Sequence, residues 1–435
     1  MTNRMTPGGR LSAAIEILTT LQTQHRPAAE TLADWGKAHR FAGSADRAAI
    51  GNLVYDALRR KLSTAARMGA DTPRALAIAI APSAWGMSAE AVAALCSGSD
   101  HGPDVLTSIE SEGLARELPS DTPDYIRADV PDWLWPSFQV AFGADALAEG
   151  KALAARAPVD LRVNTHKSNR PKVLKSLETF GAVASPYSPL GVRVAAPKGG
   201  GRSANVQVEP GFIKGWYEVQ DEGSQIAALI AADAAGPASQ VLDCCAGSGG
   251  KTLAISAALA NKGQIFAHDT DRMRLAPIHE RLQRAGARNV QVLPTRDNPL
   301  DALTGKMDCV VVDAPCTGTG VWRRRPESKW RLTPEALEKR IEEQRAILTR
   351  CVPLLKPNGR LVYITCSLLP DENEDQVDWL CAQHPGLTVK PLADSLARVF
   401  RDSASFESAI GPKGLTLRPA QAHTDGFFVT VLCAV

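Results

Sequence analysis

Two cysteines in this 435-residue chain sit where chemistry is expected. Cys316 lies in Asp313-Ala314-Pro315-Cys316-Thr317-Gly318-Thr319-Gly320, and Cys366 in Thr365-Cys366-Ser367. Each follows a short apolar run, at 309–315 and 360–366, that reads as a strand, so both thiols come from neighbouring strand ends. Free cysteines are usually buried small hydrophobes, which is the expectation for Cys96, Cys309, Cys351, Cys381 and Cys433. Two in one crevice, one beside an Asp-Ala-Pro turn, suit a reaction instead. Carbon-5 of cytosine is too weak a nucleophile to accept a methyl group unaided. A thiolate added at carbon-6 produces an enamine-like adduct whose carbon-5 can attack a sulfonium methyl. An acid at the ring nitrogen stabilises the charge gathered there. Asp313 fits that position if it is protonated or shares a proton, a state that burial favours. A base must finally take the carbon-5 proton so that the first thiolate can leave.

A glycine loop supplies the second half of such chemistry. Asp243-Cys244-Cys245-Ala246-Gly247-Ser248-Gly249-Gly250-Lys251-Thr252 follows a strand and opens a helix. Glycines at such a turn let a ligand approach the backbone. A phosphate-binding loop of the Walker type needs glycine where Cys245 stands, so Gly-Lys-Thr is misleading here. A dinucleotide fingerprint needs a third glycine where Thr252 stands. A nucleoside cofactor without pyrophosphate remains, namely S-adenosylmethionine, held by residues 245–251: Cys245, Ala246, Gly247, Ser248, Gly249, Gly250 and Lys251. Asp269 ends the next strand and can accept from both ribose hydroxyls, with Asp271 as a rival or Asp269 as a helix cap. Asp297, after the third strand, can face the adenine amino group or merely serve the Thr295–Pro299 turn.

The elements that position these groups alternate. Strand candidates at 241–246, 264–269, 289–293, 309–315, 360–366 and 426–433 are separated by helical patterns, which implies a mostly parallel, doubly wound sheet with ligands at the carboxyl strand ends. Upstream, Leu11, Ala14, Ile15, Leu18 and Leu21 share one helical face, as do Ile50, Leu53, Val54, Ala57 and Leu58. Residues 1–142 are therefore expected to form a helical domain whose end, marked by Pro119, Pro123, Pro131 and Pro136, runs irregularly. Residues 143–218 read as a small α+β module, with strands at 161–164 and in Gly191–Ala196 and a helix over 171–180. The catalytic domain is expected at 219–435.

Composition sets limits. The formal charge is +2, so a nucleic-acid partner has to be recognised through local basic patches. No run approaches the roughly 18 apolar residues of a membrane span, and the start lacks a secretion signal. Nine scattered cysteines without a CxxC pair suit a reducing cytoplasm, with neither disulfides nor a metal site.

Gln220-Asp221-Glu222-Gly223-Ser224-Gln225, the 243–252 loop, the 313–320 and 365–373 motifs and Asp425-Gly426-Phe427-Phe428 together resemble the RsmB / Nop2 / Sun family of RNA cytosine-5 methyltransferases, in order and spacing over about 150–435. The resemblance implies a class I methyltransferase fold, Rossmann-like with a seven-stranded sheet, a NusB-like helical domain, and S-adenosylmethionine as cofactor. It implies Cys366 as nucleophile and Cys316 as the residue that assists product release. One departure is Gly247-Ser248 where the family commonly has Ala-Pro. Five cations and two tryptophans within residues 321–331 suit phosphate contact and base stacking; Arg323, Arg324, Arg325, Lys329 and Arg331 are the candidates, with a solvated loop as the alternative. Arg162, beside Asn164, resembles the family's RNA-gripping middle module. Arg59-Arg60-Lys61 is either a phosphate contact or a helix end, and Glu372 and Asn373 are expected to cap the next helix. Ribosomal RNA, in particular 16S, is the expected substrate, with transfer RNA, a non-catalytic RNA-binding assembly role and a small-molecule or protein methyltransferase as alternatives; a monomer is expected.

Overall fold

The computed structural model describes residues 5–24, 26–99, 101–400 and 402–434. The chain forms two units. The first comprises Met1–Ala157, Ala196–Ser203 and Val321–Leu332; the second comprises Pro158–Ala195, Ala204–Gly320 and Thr333–Val435. Among the described residues no helix is long and apolar enough to cross a membrane.

The first unit is helical, as its 3.6-residue periodicity requires. Helix Pro73–Trp85 starts at Thr72, whose side chain accepts from Ala75 N–H, with Pro73 in the first turn; it stops at Gly86 in a left-handed conformation. Its Ala75–Ala81 run is buried on all sides, among Leu11, Leu18, Ile50, Leu53 and Val54 from helices Pro7–Gln24 and Ser44–Arg59. The proline-rich end is more ordered than its sequence suggests. Pro123, Pro131 and Pro136 each stand at the start of a short helical segment, where a missing N–H costs nothing. Helix Ala146–Leu153 extends this unit beyond residue 142.

The second unit contains two sheets. The small one is antiparallel, built from β1 (Val159–Val163), β2 (Val183–Ala184), β3 (Gly191–Val194) and β4 (Tyr217–Val219) in the order β2-β3-β1-β4. Helix Arg170–Ser176 packs Val173 against Leu161, Val163, Val192 and Tyr217. This matches the expected α+β module.

The large sheet uses β5 (Gln240–Asp243), β6 (Gln264–Ala267), β7 (Val290–Val292), β8 (Met307–Asp313), β9 (Leu355–Thr365), β10 (Leu387–Val389), β11 (Ile410–Gly411), β12 (Gly414–Leu417) and β13 (Phe427–Ala434). Its order is β11-β12-β13-β9-β8-β5-β6-β7, with β10 also on β13. All pairings from β9 to β7 are parallel, and all those involving β13 are antiparallel. The six expected strands are present, but the sheet has nine strands instead of seven. The strands beyond the six expected, β10, β11 and β12, are two to four residues long and lie on the β13 side of the sheet. Alternate residues of the central strands serve opposite cores: Val241, Val311 and Ile364 on one face, Leu242, Val310, Val312 and Tyr363 on the other. Strand order reverses at β5, which lies between β6 and β8, and that switch opens a crevice at the carboxyl ends of β5 and β8.

Candidate active site

The loops after β5, β8 and β9 meet at this edge. Register pairs Asp243 with Val311 and Asp313 with Ile364, so the three strand ends are level within two residues. Two backbone bonds then draw the loops together: Gly320 N–H donates to Cys366 O at 2.9 Å, and Gly426 N–H donates to Gly320 O at 2.9 Å. A Cβ on Gly320 would lie 2.2 Å from Gly426 O, so only glycine allows this approach.

The result is a thiol pair. Cys316 Sγ and Cys366 Sγ are 3.3 Å apart, and both residues are half-buried. The hydrogen bond with Cys366, loss of hydration, the charge of Cys366 and that of Glu372 hold the Cys316 thiol well above the ordinary thiol range. Either sulfur can be the donor in the pair. The other expectations for cysteine hold for Cys96, Cys309, Cys351 and Cys433, which are buried, whereas Cys381 is half-buried.

Asp313, last residue of β8, is 2.6 Å from the ammonium of Lys251. Its side chain is 32% exposed, so the burial expected to favour a protonated Asp313 is absent, and a cation stands beside it instead. Lys251 comes from the first turn of helix Gly250–Ala258 and lies 5.2 Å above the Phe427 ring centroid. This pair is not legible from local sequence, because 62 positions separate its members.

The 245–250 loop is shaped by its glycines. Gly247 (φ 49°) and Gly249 (φ 83°) are left-handed, and a Cβ on Gly249 would lie 2.6 Å from Ile278 Cγ1. Asp269 follows β6 and is 4% exposed; its carboxylate accepts from Gly247 N–H at 2.9 Å and from Asp271 N–H at 2.9 Å. Asp271, the rival acid, caps helix Arg272–Leu275 by accepting from Met273 and Arg274 N–H. Ser248 is exposed, and its carbonyl and hydroxyl accept from Arg281 at 2.8 Å each. Cys245 is half-buried and Ala246 buried. A Cβ on Gly250 would meet nothing within 4 Å, which marks the open side of the loop. Asp297 lies in an exposed turn whose Asp297 and Asn298 are both left-handed, consistent with the turn role. Beneath the loop, Asp243 is fully buried, accepts from Thr252 Oγ1 at 2.6 Å, and is pushed up to about 7, mainly by burial.

The candidate RNA contacts divide sharply. Arg162 is 1% exposed; its Nε donates to Gln220 Oε1 at 2.6 Å, and burial lowers it to about 10. Its neighbour Asn164 donates to Gly215 O and Ala285 O. Both residues knit the small sheet to its surroundings and present no charge to solvent. Segment 321–332 belongs to the helical unit. There Trp322 is buried and stacked on Phe138, Lys329 is buried with its ammonium donating to Arg59 O at 3.1 Å, and Arg323 is buried. Arg325 and Arg331 are exposed and Arg324 half-buried. Arg59 is buried and paired with Asp56, Arg60 donates to Ser83, and Lys61 pairs with Asp71. Glu372 and Asn373 do not cap the next helix: Asn373 makes no side-chain cap bond, and Glu372 is buried behind the thiols.

The family model of 16S rRNA methyltransferase RsmB/F matches residues 233–433, and that of the RsmF/B-like ferredoxin-like domain matches 130–199. Ribosomal RNA small subunit methyltransferase B of Sodalis glossinidius is 33% identical over 72% of this chain and 68% of its own length. The Synechocystis protein described as probable ribosomal RNA small subunit methyltransferase B is 31% identical over 69% of this chain and 66% of its own. The chain thus spans about two thirds of the length of these curated relatives. The fold matches the crystal structure of PH0851 with a TM-score of 0.73 at 24% identity, over 98% of this chain and 99% of that one. It also matches NSun6 from Pyrococcus horikoshii with SFG, with a TM-score of 0.59 at 23% identity, over 70% and 98%.

Proposed function

This chain belongs to the family of 16S rRNA methyltransferase RsmB/F, and from that premise we propose that it transfers a methyl group from S-adenosylmethionine to carbon-5 of a cytosine in ribosomal RNA. The observation that carries the proposal is the 3.3 Å thiol pair at two neighbouring strand ends, with the Asp313–Lys251 pair on the same sheet edge.

The residues present fit the cofactor. Gly247 offers a side-chain-free, left-handed turn, Gly250 leaves the loop's face open, and the buried Asp269 carboxylate stands beside Gly247 with acceptor capacity beyond its two backbone donors. Gly247, Gly250 and Asp269 would hold the nucleoside. S-adenosylmethionine, when bound, supplies an electrophilic methyl group on a sulfonium.

The chain's own groups then divide the work. Cys366 adds through sulfur to carbon-6 of the cytosine, and the ring's electron pair is drawn toward its ring nitrogen. Asp313 and the Lys251 ammonium beside it form the polar pair that receives that edge of the ring: the carboxylate accepts from the exocyclic amino group, and the ammonium donates to the ring nitrogen and offsets the developing negative charge. Cys316 starts as a thiol. Once Cys366 is bound to carbon, two of the causes that hold the proton on Cys316, the hydrogen bond and the charge of Cys366, are gone. Cys316 can then lose its proton to solvent water, and the resulting thiolate accepts the one on carbon-5. The carbon–sulfur bond breaks as the ring double bond reforms, and Cys366 is regenerated. Arg325 and Arg331, the exposed cations of the 321–332 segment, remain the candidates for phosphate contact.

The test is product analysis. RNA incubated with the protein and methyl-labelled S-adenosylmethionine, then digested to nucleosides, should carry its label in 5-methylcytidine. Label in any other nucleoside, or in protein, refutes the proposal. Comparing small-subunit ribosomal RNA with transfer RNA as substrate decides between those two classes.

A further inference from the structure

Behind the two thiols lies a carboxylate that the chemistry above does not use. Glu372 is fully buried and stands six residues after Cys366. Its Oε1 accepts from the backbone N–H of Thr317 at 2.8 Å and from Gln344 Nε2 at 2.9 Å, and its Oε2 accepts from the Thr317 hydroxyl. Thr317 is the residue next to Cys316. Gln344, on helix Pro334–Cys351, donates to Pro315 O at 3.0 Å as well, so the backbone on both sides of Cys316 is tied to one cluster.

The other end of the cluster is the Cys366 segment. The Glu372 carbonyl accepts from the hydroxyl of Tyr363, on β9, at 2.6 Å. Asn373 accepts from Thr365 Oγ1 at 2.5 Å and donates to Ser367 O at 3.0 Å. Ser367 Oγ is 3.4 Å from Thr317 Oγ1 and 3.2 Å from Thr319 Oγ1, which in turn accepts from Leu368 N–H at 2.8 Å. A single side chain thereby fastens the residue after Cys316 to the turn that follows Cys366.

We propose that Glu372 is a positioning residue that sets the separation of Cys316 and Cys366 by clamping Thr317 to the 369–373 turn. This rests on the reading of the two thiols as the reacting pair. Three donors converge on the carboxylate, a task for an acceptor-only group. Burial raises Glu372, and hydrogen bonding from the Ser367 hydroxyl, then from the Thr317 hydroxyl and N–H and the Gln344 amide, opposes that rise. Its charge is also among the causes that keep the proton on Cys316. Removing the side chain would leave the Thr317 N–H without its acceptor and the Gln344 amide with Pro315 O alone. The loop that carries Cys316 would then relax away from Cys366.

The test uses the full chain without RNA or cofactor, so its outcome does not depend on which base, if any, the protein methylates. Diamide oxidises two neighbouring thiols to a disulfide and is itself reduced to the hydrazine; the rate of Cys316–Cys366 disulfide formation, read by peptide mass spectrometry, reports their separation. Glu372→Ala should slow trapping by about tenfold or more, the scale expected for a misplacement of about 1 Å. Glu372→Gln should trap at close to the wild-type rate, because Oε1 still accepts both N–H donors and the new amide N–H can donate to the Thr317 hydroxyl, which keeps that contact. A purely stabilising role predicts no such rescue pattern in folded protein. If folded Glu372→Ala traps as fast as wild type, the proposal is overturned. Should that variant fail to fold, Thr317→Val, which keeps the side-chain shape and loses one donor, takes its place; trapping slowed in Thr317→Val supports the clamp, and an unchanged rate overturns it.

Discussion

Asp243→Asn isolates the cost of keeping an acid beneath the cofactor loop. Asp243 ends β5, is fully buried, and has one carboxylate oxygen on Thr252 while Oδ1 has no hydrogen-bond partner. Burial is the largest cause of its rise from 3.8 to about 7; the Thr252 hydrogen bond opposes it and the charge of Asp313 adds to it. The folded protein therefore binds this proton more tightly than the unfolded chain does. The stabilisation is full below the unfolded value near 4, falls as pH rises, and is lost once pH passes about 7. A rise of about three units at ~1.36 kcal/mol each amounts to about 4 kcal/mol across the whole window. Between pH 5 and pH 9 the part still to be lost is about 3 kcal/mol. Asparagine is neutral throughout, so the variant escapes this loss, while its buried amide donor costs about 1–3 kcal/mol at every pH. The variant should be the less stable protein at pH 5, and the difference should move in its favour by about 3 kcal/mol at pH 9. Urea midpoints at pH 5, 7 and 9, read by hydrogen exchange of peptides within 240–258, confine the measurement to the unit that holds Asp243. A stability difference that stays constant across the three pH values would overturn the raised Asp243, since it would mean that Asp243 is charged in the folded protein throughout.

Four other variants address the remaining elements. Gly320→Ala places a Cβ against backbone on Gly426 and should destabilise by about 3 kcal/mol or more, seen as a lowered urea midpoint. Asp269→Ala removes the acceptor of the Gly247 and Asp271 N–H groups and should weaken S-adenosylmethionine binding by about tenfold or more in calorimetry. Replacing exposed Arg325 and Arg331 together by Ala should lower RNA affinity and reduce the salt slope by about 2, whereas Lys329→Met, at a buried position, should act on the stability of the helical unit and leave that slope unchanged.

Much of this was legible in the sequence because the chemistry sits at strand ends. Apolar runs such as Val310–Val312 stop at polar residues and glycines, and that pattern placed Asp243, Asp313, Cys316 and Cys366 on one edge before any coordinates. Residues whose role depends on distant partners were not legible. Lys329 reads as a solvated cation, yet it lies 5.5 Å from the ring centroid of Trp322 and 4.7 Å from that of Trp330. Nothing local records that segment 321–332 packs with helices near residues 58 and 138. Arg162 alternates with apolar neighbours on β1, but its partner Gln220 lies 58 residues away. Glu372, in a Pro-Asp-Glu-Asn turn ahead of a helix, resembles a cap, because its true partners, Thr317 and Gln344, come from two other elements.

The central claim is that Cys366 forms the bond to cytosine and Cys316 releases it. Incubating Cys316→Ala with RNA and S-adenosylmethionine, digesting both polymers, and mapping the cross-linked nucleotide by mass spectrometry tests it most directly. An accumulating adduct attached at Cys366 and carrying a methylated cytosine is expected. An adduct attached to any other residue, or none at all in a variant that still methylates and releases RNA, contradicts it.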